Sequence, residues 1–210
     1  MRDRLENGHG YRYSDASLNA SHEYLLPAVL QVLQSVSPEN RVFELGCGNG
    51  SIANELTKYG FDMTGIDPSP EGLQHAKQQY PHLNIFSGSA YDDLTDRFGK
   101  FPIVLSLEVI EHLYFPRQFA SAVYKLLLPG GMAVISTPYH GYWKNLVLSL
   151  FGKMDDHFTA LWDYGHIKFW SIKTLTELLQ EAGFDEVLFL RVGRIPSLAK
   201  SMIAVAKKGK

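Results

Sequence analysis

Cysteine is nearly absent from this chain: its 210 residues hold one, Cys47, so no internal disulfide can form and nothing points to secretion. Long apolar runs are missing too. No stretch reaches the ~20 residues needed to cross a bilayer, and no signal peptide is recognisable, which makes the cytoplasm the expected location. Positive charge is not in excess: 20 Lys and Arg stand against 22 Asp and Glu, for a net charge of −2 and a pI of about 6.4. Nucleic-acid binders usually display a basic pI or patch, so no nucleic-acid partner is expected. Internal repeats and low-complexity tracts are also lacking. What remains is an ordinary globular composition, 45% hydrophobic and 20% charged, in a length that suits a single domain over residues 1–210.

Strands alternate with helices along most of the chain. Periodicity predicts a helix over 22–33, strand 41–45, helix 51–58, strand 61–66, helix 71–79, a short strand 84–86, strand 101–107, helix 116–128 and strand 132–136. A helix over 172–182 and strands 186–191 and 201–206 follow. This order implies an α/β fold with a doubly wound, mostly parallel seven-stranded sheet and helices on both faces. The last two strands are too close in sequence for a helical crossover, so they should pair antiparallel. Residues 1–38 read as an N-terminal lid and helix; the first twenty either fray or fold over the site. The alternation breaks at 139–164, an aromatic insertion expected to cap the acceptor side. Its apolar run 146–151 is expected to be buried, although flanking Lys144 and Lys153 leave a weak peripheral-membrane contact open.

The run Val42-Phe43-Glu44-Leu45-Gly46-Cys47-Gly48-Asn49-Gly50 carries the most information. An apolar strand ends in an acid, and glycines at every second position let a ligand approach the backbone at the strand's carboxyl end. The third glycine comes one residue too early for the dinucleotide pattern G-x-G-x-x-G, which disfavours a nicotinamide dehydrogenase. Asp67 closes the next strand, where an acid can accept from both ribose hydroxyls or simply form a turn before Pro68. Cys47 reads as a loop filler, with nothing basic beside it to make a thiolate.

Glu108, Glu111 and His112 are spaced i, i+3, i+4, so a helical turn would put all three on one face. With His166 they offer two carboxylates and two imidazoles, a donor set able to hold a divalent cation, with the oxygen ligands favouring magnesium or manganese. Two other readings stay open. Glu111 and His112 serve to cap or bridge the next helix, or His112 or His166 acts as a plain general base.

The E-x-G-x-G-x-G loop resembles motif I of the class I S-adenosylmethionine-dependent methyltransferases. Gly65-Ile66-Asp67-Pro68-Ser69, Gly88-Ser89-Ala90, the strand from Phe101 through His112, and Leu128-Pro129-Gly130-Gly131 are similar to that family's later motifs in the same order, so the resemblance spans about residues 41–206. It implies that Glu44, Gly46, Cys47, Gly48, Asn49, Gly50, Asp67, Pro68, Ser69, Ser89, Ala90 and Leu107 line S-adenosyl-L-methionine, with S-adenosyl-L-homocysteine as product. Glu44 would lie near the methionine amino group. Two departures stand out. Pro102 stands where many relatives have an acid near the start of strand four, and Ser89 where adenine loops often carry Asp; either the Ser89 hydroxyl accepts from the adenine amino group more weakly, or Asp92 or Asp93 substitutes.

E-x-x-E-H with a distant histidine resembles two metal-assisted O-methyltransferase groups, acting on quinone precursors and on the 2′-hydroxyl of small RNAs, though it recurs in relatives with no known metal. The expected function is methyl transfer by in-line displacement to a hydroxyl of a small molecule, a quinone precursor or a sugar. Glu111, His112 and His166 would be catalytic, and Glu108, Glu111, His112 and His166 would hold a divalent metal such as Mg. The rivals are a small-RNA 2′-O-methyltransferase and a non-catalytic S-adenosylmethionine-binding regulatory module.

Overall fold

Seven strands form one sheet in the order β3-β2-β1-β4-β5-β7-β6. The computed structural model describes residues 13–36 and 39–210. The strands are β1 (Arg41–Leu45), β2 (Asp62–Asp67), β3 (Asn84–Ser87), β4 (Phe101–Leu107), β5 (Leu127–Pro138), β6 (Glu186–Val192) and β7 (Ser201–Lys207). β1 to β5 pair in parallel. β7 runs antiparallel to both of its neighbours, β5 and β6, as its short link to β6 requires.

The strands are apolar because both faces are covered. On β4, Ile103 and Leu105 face one side, where helices α1 (His22–Val36) and α2 (Ser51–Lys58) pack. Val104 faces the other, against α5 (Pro116–Leu126) and α8 (Ile172–Glu181). The same alternation divides Met132 and Val134 from Ala133 and Ile135, and Ile203 and Val205 from Met202 and Ala204. Each fully buried Leu, Ile or Phe here contributes about 1.5–3 kcal/mol. The remaining helices are α3 (Pro70–Gln79), α4 (Leu94–Phe98), α6 (Tyr142–Leu150) and α7 (Met154–Phe158).

Three local differences from the sequence reading have physical causes. The helix expected from residue 71 starts one residue earlier: Pro70 opens α3 behind Ser69, whose hydroxyl accepts the Gly72 N–H. Residues 128–131 do not precede β5 but bulge within it, because Leu127 already pairs with Phe101 before Met132 pairs with Ile103. The apolar run expected to be buried is covered only in part: Leu146, Val147 and Leu148 are half-buried, while Leu150 and Phe151 are each 72% accessible. α6 buries only Lys144, so the helix meets the fold on a narrow stripe.

Candidate active site

The glycine loop sits at the carboxyl end of β1, in the crevice where β1 and β4 diverge. Gly46 has φ +87, and a Cβ there would lie 2.5 Å from Val109 Cγ2, so the loop and the segment after β4 touch at a point only glycine allows. The N–H groups of Gly46 and Cys47 both donate to the Ile66 carbonyl, at 2.8 and 2.9 Å. Asp67 holds the rest: Oδ2 accepts from Gly48 N–H at 2.9 Å and Oδ1 from Ser69 N–H at 2.8 Å. Burial raises the Asp67 carboxyl, and these two donors oppose the shift. Each oxygen retains a second lone pair, so holding the loop leaves ribose recognition available.

Glu44 is 2% exposed, and its Oε2 has no hydrogen-bond partner among the described residues. Burial, then the charge of Asp67, pushes its carboxyl up to about 8. A buried acceptor left unpaired is costly. The ammonium of a bound S-adenosylmethionine would satisfy it, so this acid fits the cofactor that the motif implies. Cys47 is buried with its thiol held protonated, by burial first and then by Glu44 and Asp67, consistent with a filler against Gly65.

Not every expected cofactor residue presents its side chain. The Ser69 hydroxyl caps α3. The Ser89 hydroxyl accepts from Tyr91 N–H, while Asp92 Oδ2 accepts from Ser89 N–H, closing the turn. Ala90 packs on the core, Pro68 is exposed and Leu107 is buried. Gly50 ends the loop as the N-cap of α2. Asn49 turns away from the crevice: its Nδ2 donates to the Asp15 and Ser17 carbonyls at 2.8 and 3.0 Å. This ties the N-terminal segment across the loop and sets the Tyr13 ring against Gly48 and Gly72. Residues 1–12 lie outside the described residues.

The reacting end follows β4. The expected helical face does not form, because only Ile110–His112 make a single 3-10 turn and Glu108 adopts φ +54. Glu108 is drawn off by hydroxyls: Ser136 donates to Oε1 at 2.8 Å and Ser201 to Oε2 at 3.3 Å. Burial lifts Glu108 to about 7, against the pull of both serines and Lys144.

Glu111, His112 and His166 do converge, with one ligand atom from each lying within 4.8 Å of the others. The Glu111 carbonyl accepts from Ile167 and Lys168 N–H at 2.9 and 3.0 Å, which pins the His166 segment in place. His166 Nε2 is 4.0 Å from Glu111 Oε1. His112 Nδ1 donates to the Tyr164 carbonyl at 2.9 Å, which leaves Nε2 as its basic nitrogen. Trp162 packs on both imidazoles, at 6.0 and 5.4 Å between ring centres.

Glu111 is 1% exposed, and neither carboxylate oxygen has a hydrogen-bond partner among the described residues. Burial, then Glu108, raises its carboxyl well above the usual range, against a weaker pull from the backbone and from the nearby Thr137 hydroxyl. His166 falls to about 4, from burial first and then from His112, His157 and Lys144. Burial also lowers His112. Neutral imidazoles beside an acid suit a cation or a proton acceptor.

Of the aromatic residues expected to wall the acceptor, Trp162 meets the cluster and Phe158 stacks on His140, whereas Tyr139 joins the core and Tyr142 and Trp143 face outward. Sequence reading missed Arg194, Lys200 and His157 around buried Lys144; a lysine four residues after His140 was the only local sign. A separate cavity of about 410 Å³ between α4 and α5 contains no residue of the glycine loop.

A family model described as a methyltransferase domain matches residues 7–188. The chain is similar to the ubiquinone biosynthesis O-methyltransferase of Caulobacter sp. (strain K31), 32% identical over 101 residues that cover 46% of this chain and 40% of that protein. It is 28% identical over 155 residues to the protein of the same description from Cereibacter sphaeroides (strain ATCC 17025 / ATH 2.4.3), covering 70% of this chain and 61% of the relative. The alignments thus span 40% and 61% of these relatives' lengths. Among solved structures, the methyltransferase domain of bacterial CtHen1 superposes with a TM-score of 0.68 at 24% identity, over 90% of this chain and 100% of that one. A putative methyltransferase in complex with the Haloferax volcanii Trm112 activator gives 0.65 at 17%, over 87% and 88%. Both likenesses concern the fold. No described helix is long and apolar enough to cross a membrane.

Proposed function

The chain belongs to the class I S-adenosylmethionine-dependent methyltransferase family, and from that premise we propose that it transfers the cofactor's methyl group to a hydroxyl of a small molecule. The cofactor supplies an electrophilic sulfonium methyl. The protein's part is to orient it: Asp67 for the ribose, Glu44 for the ammonium, and the amides of Gly46–Gly50 for close approach. Val109, packed on Gly46, sets the reacting end beside that loop.

One observation carries the choice of a hydroxyl acceptor. The buried carboxyl of Glu111 shares its site with two neutral imidazoles. An oxygen nucleophile must lose a proton before an in-line displacement, and a neutral imidazole beside it can take one. His112, with its proton fixed on Nδ1 by the Tyr164 carbonyl, presents Nε2 as the base. Glu111, His112 and His166 also fit a divalent cation, which would supply charge that lowers the acceptor's pKa. With Glu108 held by serines, the set is one oxygen and two nitrogens, a softer site than magnesium prefers. The acidic balance of the chain supports a small-molecule acceptor over RNA.

Calorimetric titration with S-adenosylhomocysteine and with NADH tests the premise: saturable binding of the first alone is expected. Methyl transfer to phenolic and sugar hydroxyls is then measured with and without EDTA. Full activity in EDTA removes the cation and leaves His112 as the base. Transfer confined to amine or carbon acceptors overturns the hydroxyl reading.

A further inference from the structure

A second cavity, of about 400 Å³, opens where α6 and α7 meet the link between β6 and β7. Four cationic side chains line it, Lys144, Lys153, Arg194 and Lys200, together with the imidazole of His157 and one acid, Asp156. That acid is already occupied, 3.2 Å from Lys153. Lys144 is 92% buried by its 8% exposure, an unusual state for an ammonium, and its Nζ reaches the Lys200 carbonyl at a long 3.3 Å. Burial first, then the charge of Arg194, lowers Lys144 to about 8. Glu108 opposes that fall, and Lys153 has Asp156, but Arg194 and Lys200 form no ion pair among the described residues. Val147, Leu148 and Leu198 supply an apolar wall.

The cavity adjoins the reacting end. The His157 ring stands 5.3 Å from that of His140, which in turn packs 5.1 Å from Phe169, three residues beyond His166. Arg194 and the lysines offer more donors than one carboxylate can use, and two or more positive charges match a dianion. We infer that this cavity holds the phosphate or diphosphate of the acceptor, which is therefore a phosphorylated hydroxy compound with an apolar portion. The assignment of that ligand as the acceptor rests on the hydroxyl-transfer reading above; anion binding itself is measurable without turnover.

The test is calorimetric titration of the full chain, saturated with S-adenosylhomocysteine, with inorganic pyrophosphate and separately with benzoate. Saturable pyrophosphate binding, at least tenfold tighter than benzoate and weakened at least tenfold in Arg194→Gln and in Lys200→Gln, is expected. Both residues are exposed, so equal melting temperatures would show that the variants fold. No saturable binding below ~10 mM, or equal binding by both variants, overturns the site. Binding of S-adenosylhomocysteine without pyrophosphate refutes this inference alone; the reverse refutes the cofactor reading and leaves the anion site standing. Sedimentation with phosphatidylglycerol vesicles but not phosphatidylcholine, lost in Arg194→Gln, assigns the phosphate to a lipid headgroup. No sedimentation assigns it to a soluble ester.

Discussion

Two buried acids mark the two ends of the crevice, and they are held in opposite ways. Asp67 gives each oxygen a backbone donor, from Gly48 and Ser69; Glu111 has no hydrogen-bond partner for either oxygen among the described residues. The first builds the fold around itself. The second is kept buried at the fold's expense, as groups poised for chemistry commonly are. Satisfied polar groups thus mark where the protein organises its own backbone, and unsatisfied ones mark where it waits for something else.

The sharpest break in that comparison is Glu111→Gln. Turnover is expected to fall by ~10²–10⁴ while S-adenosylhomocysteine affinity holds, because the lost group handles the acceptor proton. The melting temperature should hold or rise, since an unpaired buried carboxyl is replaced by a neutral amide. A marked drop in melting temperature would make Glu111 structural. Asp67→Ala should do the reverse. Two buried N–H groups lose their acceptor at about 1–3 kcal/mol each, so thermal stability falls and cofactor affinity drops roughly ten- to a hundredfold. Unchanged melting would show that the loop does not depend on this acid.

Glu44 stands between these cases, and pH separates its two roles. Its carboxyl sits near 8 in the fold against an ordinary 4.5. The folded state therefore holds the proton more tightly. The stability this gives is complete below the unfolded value and is lost as pH rises through the folded one. An ammonium ligand beside Glu44 favours the ionised form. The rise in melting temperature on adding S-adenosylhomocysteine should then grow from about pH 6 to about pH 8, and Glu44→Gln should flatten the trend. An equal shift at both pH values in the parent protein would remove Glu44 from the ammonium site. The smallest effect is expected from Asn49→Ala, which frees the segment at Asp15 and Ser17 from the loop. Affinity should fall less than about tenfold, with faster proteolysis of that segment. Unaltered proteolysis would mean that the tie is incidental.

The glycine-loop end was largely legible in the sequence because its geometry is local. Glycine spacing, the strand-end acid and Asp67 one β-α unit later are all written within residues 41–69, and the parallel register of β1 and β2 follows from them. The acceptor end was legible only in composition. Glu108, Glu111, His112 and His166 are visible as residue types, yet the diversion of Glu108 depends on Ser201, which comes from β7. No local periodicity could report that, and the assumed helical face gave way to one 3-10 turn. The exposure of α6 and the burial of Lys144 were hidden for the same reason, since an apolar run does not reveal how much of its surface the rest of the chain covers.

The place of β7 in the sheet has a consequence for how the molecule comes into being. Among the described residues β6 lies at the edge with β7 as its one sheet neighbour, and β7 leaves the ribosome after it. The same late segment supplies Ser201 to Glu108 and the Lys200 carbonyl to Tyr139 N–H and to Lys144. A nascent chain halted before residue 200 thus carries every residue of its glycine loop but lacks these ties at the acceptor end. Such an arrested chain is expected to retain S-adenosylhomocysteine while its 139–198 segment is digested rapidly, and equal protease resistance in arrested and full chains would refute this order. On that expectation synthesis sets the sequence of events: the glycine loop is complete first, and the segment around Glu108 is tied down when β7 joins the sheet.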